Sequence, residues 1–325
     1  MKLLYDRTEG ARISDALSIK DMRLLVLEND ALRITMVPEK GTDILEFLDK
    51  RTQTDFLWRS PNGFRSPRVD PRLRPVAGTF GAYYAGGWQE LFPHGSSPLE
   101  VAGAPMGQHG EVHILPWQYA ILADTPQEVR VKLWVNTVLT PFRLEKTIIL
   151  NASDPWVRFE EAATNLSDEP LDIIWGHHPA FGEPFLSGDC KIELPPGEPI
   201  DGELSFCRIQ PKSKRAPNRM WYLTDITEGW YGIHNAKRDV GFGMAWDAKR
   251  FGVIWIWQSY GSEGGHPNYG REYVCAVEPV SSLPGRYREA IAPRVPIGPR
   301  ETLSTSFHAF SYGGTLAQTL ERIPG

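Results

Sequence analysis

The segment EVRVKLWV, residues 128–135, alternates without a break: Val129, Val131, Leu133 and Val135 fall on one side, Arg130 and Lys132 on the other. Successive side chains of an extended strand point to opposite faces, so a hydrophobic period of two specifies a strand with one face buried and one face wet. Similar strands are expected in LRITMV (32–37), FRLEKTIIL (142–150), WVRFEEAATNL (156–166), LDIIWGHH (171–178), GFGMAW (241–246), FGVIWIWQSY (251–260), EYVCAVEPV (272–280) and ETLSTSFHAFSY (301–312). The 30 Gly and 27 Pro are spread along the 325 residues and supply turns between them. Helical periodicity is best in TLAQTLERI (315–323), and there is no βα alternation and no repeat of solenoid length. These features predict an all-β chain built as a large antiparallel sandwich, read as one domain over residues 1–325.

Several function classes lack their handle. The formal net charge of −5, with acidic and basic residues mixed, offers no footprint for nucleic acid. Cys190, Cys207 and Cys275 are too few and too scattered for a disulfide framework or a paired-cysteine zinc site. The start MKLLYDRTEG lacks a signal-peptide core, and the longest apolar run, FGVIWIW at 251–257, is far too short for a membrane helix. A cytoplasmic protein with a small-molecule partner is expected. Phosphate loop, G-x-S-x-G elbow and H-E-x-x-H are all missing.

Three stretches carry candidate chemistry. In WGHHPAFG (175–182) strand parity separates two adjacent histidines: His177 falls with Leu171, Ile173 and Trp175 on a packing face, and His178 with Asp172, Ile174 and Gly176. His178 is the candidate for an open pocket, and the alternative is a pair of structural histidines near a strand end. A metal site would draw on His109, His113, His177 and His178, but QHGEVHILPW is no helix and nothing supplies a sulfur ligand, so no metal is expected. In VCAVEPV, Glu278 shares parity with Val274 and Ala276 and can rise from a floor of small side chains, where partial burial would raise its pKa. The competing reading is a strand-end Glu paired with Arg271 or Arg286. In AGGWQELFPHG (85–95), Trp88, Gln89, Glu90 and His94 crowd aromatic and hydrogen-bonding groups behind two glycines, a mixture suited to a sugar.

Taken in order, these stretches resemble the aldose 1-epimerase (galactose mutarotase-like) family. VPEKGTDILEFLDKRTQTDFLW (37–58) is similar to its opening strand pair, GGWQELFP with QHGEVHILPW (108–117) to its Gly-Gly and later His-Gly segments, HPAF (178–181) to its His-x-x-Phe strand, and Glu278-Pro279 to the Glu-Pro that closes its site. The resemblance spans roughly residues 25–312 and implies a β-supersandwich with a carbohydrate pocket on its concave face. It further implies Glu278 as general base, His178 as general acid and His109 as a second histidine near the sugar ring oxygen. His177, Gln89, Trp88 and Asp225 complete the candidate sugar contacts, Asp225 standing for the aspartate that grips hydroxyls in galactose mutarotases. The implied activity interconverts α and β anomers of an aldose: one group removes the anomeric proton, the other protonates the ring oxygen, and no cofactor is required.

The resemblance is incomplete at Ala85, where the hexose-phosphate branch carries an arginine. A sugar-binding or sensing protein and a sugar lyase of related fold are the alternatives. The Arg- and Pro-rich stretch 59–78 reads as a surface loop, either a lid or a long connection, whose Arg59, Arg65, Arg68, Arg72 and Arg74 either meet an anionic substituent or are solvated. His178 and Glu278 are expected to face each other across a gap the width of a pyranose ring.

Overall fold

In three consecutive strands, Glu128–Asn136, Phe142–Asn151 and Trp156–Asn165, buried and half-buried residues alternate along nearly the whole length. Their apolar faces need a partner layer, and the computed structural model, which describes residues 7–68, 79–200, 207–216, 218–284 and 295–324, shows it as a second sheet. Eight strands form the first layer, in the order Gln118–Asp124, Glu128–Asn136, Phe142–Asn151, Trp156–Asn165, Thr302–Tyr312, Val240–Trp246, Gly229–Asn235 and Cys190–Glu193. The other layer has eleven strands. Its order runs Arg12–Ser14, Leu25–Glu28, Leu32–Val37, Asp43–Asp49, Trp88–Leu91, Gly176–Gly182, Val274–Val280, Val253–Ser259, Asn218–Thr224 and Glu198–Ile200, with Thr54–Asp55 off its side.

The inner faces meet through aromatic rings. Trp88 lies 5.4 Å from Phe159 and 6.0 Å from Phe307, and Phe242 lies 5.1 Å from Phe47 and 4.9 Å from Phe181. Each such side chain contributes roughly 1.5–3 kcal/mol on burial, so this interleaved layer dominates cohesion. An all-β antiparallel supersandwich is therefore the architecture.

The middle of the larger sheet departs from simple alternation. Trp88–Leu91, Gly176–Gly182 and Val274–Val280 are buried at every residue. Their outer face is partly covered, because the short helix Thr79–Tyr83 brings Phe80 against His178, 5.8 Å between ring centres. The stretch expected as one strand, 171–178, is two. Leu171–Ile173 pairs with Val295–Ile297, and Gly176–Gly182 belongs to the larger sheet. Between them Ile174 N–H donates to Pro93 O at 2.8 Å and Trp175 N–H to Ser281 Oγ at 2.9 Å, so the ladder is replaced by loop contacts at that point. The terminal helix is shorter than its periodicity suggests, Leu316–Leu320.

Two glycines set the site's backbone. Gly86 and Gly87 have φ near +81°, and a Cβ at Gly86 would lie 2.2 Å from Trp58 O, at Gly87 2.4 Å from Ile44 O. They let the chain enter the strand Trp88–Leu91 against its neighbours. The close approach is to backbone.

Candidate functional site

Strand register assembles the site. Gly176 pairs with Val280 and Ala180 with Ala276, which sets His178 abreast of Glu278 on adjacent strands. On the next strand Trp255 is opposite Glu278, and Tyr222 opposite Trp255; on the other side Gln89 is opposite His178. One transverse row, Gln89, His178, Glu278, Trp255 and Tyr222, therefore crosses five strands.

Four of those five line a cleft of about 530 Å³, which also touches Phe80, Tyr84, Gly95, Gln108, His109, Trp257, Arg219, Glu263, His266 and Asn268. Val274, Ala276 and Ala180 pack with Trp58, Phe80 and Tyr84 and do not line the cleft. His178 Nε2 is 3.5 Å from Glu278 Oε1. The two groups stand side by side, not across a ring-wide gap, because adjacent strands run only about 4.8 Å apart. Arg271 does not pair with Glu278; its guanidinium donates to Asn268 O at 3.0 Å and to Asn62 Oδ1 at 2.5 Å. Arg286 lies outside the described residues.

Burial governs the electrostatics. Both Glu278 carboxyl oxygens lack a hydrogen-bond partner among the described residues, and burial pushes the carboxyl well above the usual carboxylate range. Burial also pushes the His178 imidazole down to about 4. Burial therefore opposes charge on both groups, favouring the neutral carboxyl and the neutral imidazole. His109, with φ +65°, donates Nδ1–H to Gly95 O at 2.7 Å and faces Gln108 through Nε2 at 3.1 Å. Its ring is 5.2 Å from that of His178, and burial, then the proximity of His178, holds its pKa well below 6.5.

The other expected contacts fall elsewhere. His177 points into the space between the sheets, where Nε2 is 3.1 Å from Glu161 Oε2, and Trp88 Nε1–H donates to its Nδ1 at 3.3 Å. Trp88 and His177 are thus core residues, on the face opposite to His178 because their parity is opposite. Gln89 has the right parity, but its amide donates to Gly86 O at 2.8 Å and it does not reach the cleft. Asp225 is exposed at a turn with φ +55°, past the end of Asn218–Thr224 and outside the cleft. Of the loop arginines, Arg59 pairs with Asp55 at 2.5 Å, Arg68 with Glu39 at 2.7 Å, and Arg65 donates to Ala82 O at 3.0 Å. Arg72 and Arg74 lie outside the described residues. His113 packs 5.1 Å from Phe80, and burial, then Lys40, lowers its pKa to about 3.

Residues without an expectation attached also shape the cleft. Tyr84 and Phe80 stack at 4.7 Å, and the Tyr84 hydroxyl reaches to 3.4 Å from His178 Nδ1. The aromatic run before Gly86-Gly87 was the available signal, though nothing in it announces a contact with residue 178. Glu263, His266 and Asn268 come from a Gly-rich loop whose return to the cleft depends on tertiary structure. Behind the site a second buried network ties the sheets together: Lys146 bridges Glu90 at 2.6 Å and Glu161 at 3.3 Å, and Trp175 Nε1–H donates to Glu90 at 2.9 Å. Among the described residues no three His, Cys, Asp or Glu side chains converge as a metal site, and no helix is long and apolar enough to cross a membrane.

A family profile described as a domain of unknown function, DUF4432, matches residues 20–306. The chain belongs to that family. No curated protein matches this DUF4432 chain by sequence. Solved structures do match it in fold. A provisionally assigned aldose 1-epimerase from Klebsiella pneumoniae has a TM-score of 0.78 at 16% identity, covering 97% of this chain and 88% of its own. A galactose mutarotase-like protein from Clostridium acetobutylicum has a TM-score of 0.70 at 12% identity over 94% and 99% of the two chains. A galactose mutarotase related enzyme from Lactobacillus acidophilus has 0.63 at 15% identity over 90% and 98%. The DUF4432 chain thus has the galactose mutarotase-like fold, and at such identities the likeness is one of architecture.

Proposed function

We propose that this chain is a carbohydrate-active isomerase that interconverts the α and β anomers of an aldose by acid–base ring opening, with residues 1–325 acting as one galactose mutarotase-like domain. The observation that carries this reading is the placement of His178 beside Glu278, 3.5 Å apart in the cleft and next to His109. Anomeric hydroxyl and ring oxygen are bonded to the same carbon. An acid and a base on neighbouring strands can therefore serve both atoms at once.

The proton inventory also fits. Ring opening takes a proton from the anomeric hydroxyl, breaks the bond from that carbon to the ring oxygen, forms the aldehyde carbonyl and delivers a proton to the ring oxygen. Starting with Glu278 ionised and His178 protonated, opening leaves Glu278 protonated and His178 neutral; starting from the latter state, the roles exchange. Rotation about the C1–C2 bond and closure by the reverse transfers give the other anomer. A pair with one shared proton and two pKa values drawn in opposite directions suits this reversibility.

Charge favours a ligand that is neutral at its reacting end. The nearby buried cations are balanced, Lys40 by Asp43 and Lys146 by Glu90 and Glu161, and among the described lining residues Arg219 is the only arginine or lysine. Trp255 and Trp257 offer faces for the C–H surface of a sugar. Saturation-transfer NMR of anomer exchange across a panel of neutral aldoses tests the proposal. Accelerated exchange for at least one sugar is expected; rates equal to the uncatalysed rate throughout would overturn it.

A further inference from the structure

The Tyr84 hydroxyl stands on the Nδ1 side of the His178 ring, which otherwise meets its own backbone there. It lies 3.4 Å from Nδ1, and it makes no other hydrogen bond among the described residues. Its own ring is held on three sides: stacked on Phe80 at 4.7 Å and 26°, tilted against Trp58 at 5.5 Å, and edge-on to His178 at 5.5 Å and 90°. A phenol wedged in this way has little freedom to be anywhere else.

We propose that Tyr84 is a positioning residue whose oxygen accepts the Nδ1–H of His178, keeping Nε2 free to exchange a proton with Glu278. The nitrogen that faces Glu278 is Nε2, 3.5 Å from Oε1. Neither Glu278 oxygen makes a hydrogen bond among the described residues, and the imidazole nitrogen beside them is Nε2, the acceptor that a protonated carboxyl meets there. A neutral imidazole that accepts at Nε2 must carry its proton on Nδ1, and the hydroxyl of Tyr84 is there to take it. The tyrosine's own hydrogen is left to point at the cleft, which Tyr84 lines. Burial, then Glu278, keeps the phenol far above its usual pKa, so the hydroxyl stays intact across the working range. The 3.4 Å separation is at the long end for such a bond.

When the imidazole is protonated at Nε2, Nδ1–H still donates to Tyr84. One fixed acceptor thus serves both protonation states, and the ring need not turn between them. Replacing the oxygen leaves Nδ1–H with only the residue's own backbone and shifts the proton towards Nε2, where it blocks transfer from Glu278.

The inference rests on His178 and Glu278 being the acid–base pair, and its test separates the two ideas. The ¹⁵N NMR shifts of the His178 ring, assigned by their loss in His178→Gln, are recorded in the sugar-free protein and in Tyr84→Phe at pH 7. The Nδ1–H tautomer is expected to dominate in the wild type and to give way to Nε2–H in Tyr84→Phe. Nε2–H in the wild type, or the same tautomer in both proteins, would overturn the role of Tyr84. In the anomer-exchange assay Tyr84→Phe should lower kcat roughly five- to tenfold, as loss of one neutral hydrogen bond implies, with KM little changed. Should the wild type exchange no aldose while the tautomer shifts as expected, the acid–base reading fails and the positioning role stands.

Discussion

His178 Nε2 lies 3.5 Å from Glu278 Oε1, and the two residues come from strands 100 positions apart in the chain that are neighbours in the sheet. Because each is almost wholly buried, burial disfavours charge on both: it raises the pKa of the carboxyl and lowers that of the imidazole.

His113 offers a measurable consequence of burying an imidazole. Its pKa is near 3 in the folded protein, against about 6.5 unfolded, so only the unfolded chain takes up a proton as pH falls through 6.5. The stability that this neutral histidine contributes is complete above pH 6.5 and is lost on the way down towards 3. Between pH 7 and pH 5 the wild type should lose about 2 kcal/mol more than His113→Gln, as read from urea unfolding at both pH values.

Lys146 joins Glu90 and Glu161 where the two sheets meet behind the site. Burial alone would lower its pKa, but Glu90 and Glu161 outweigh burial and raise it, so it remains charged. Lys146→Met leaves two buried carboxylates without their cation and should cost about 3–5 kcal/mol, measured as a shift in the denaturation midpoint.

Gly87 has a positive φ and stands where a Cβ would meet Ile44 O at 2.4 Å. Gly87→Ala must strain the backbone and displace the Asp43–Asp49 strand. A loss of at least about 1–3 kcal/mol is expected by thermal unfolding.

Much of the architecture was readable in hydrophobic alternation, and LRITMV coincides with a strand end to end. Glu128–Asn136 reads well because one of its faces is wet. Gly176–Gly182 is covered on both faces, yet the chemical types still alternate along it, and so parity separates His177 in the core from His178 in the cleft. What parity cannot show is the destination of a long polar side chain. Gln89 shares a row with His178, but its amide turns to Gly86. Asp225 follows a strand directly and is nevertheless exposed, with the backbone at φ +55°. Tyr84 and Phe80 act through a short helix whose position depends on contacts with His109, His113 and His178, all distant in sequence.

The central claim is that Glu278 exchanges protons with a bound sugar. Anomer exchange and sugar affinity measured side by side for the wild type and Glu278→Gln test it most directly. The account predicts that the variant keeps affinity for the aldose within a few-fold and loses exchange by about 10²- to 10⁴-fold, as removal of one acid–base group does. Exchange at the wild-type rate in Glu278→Gln would contradict it.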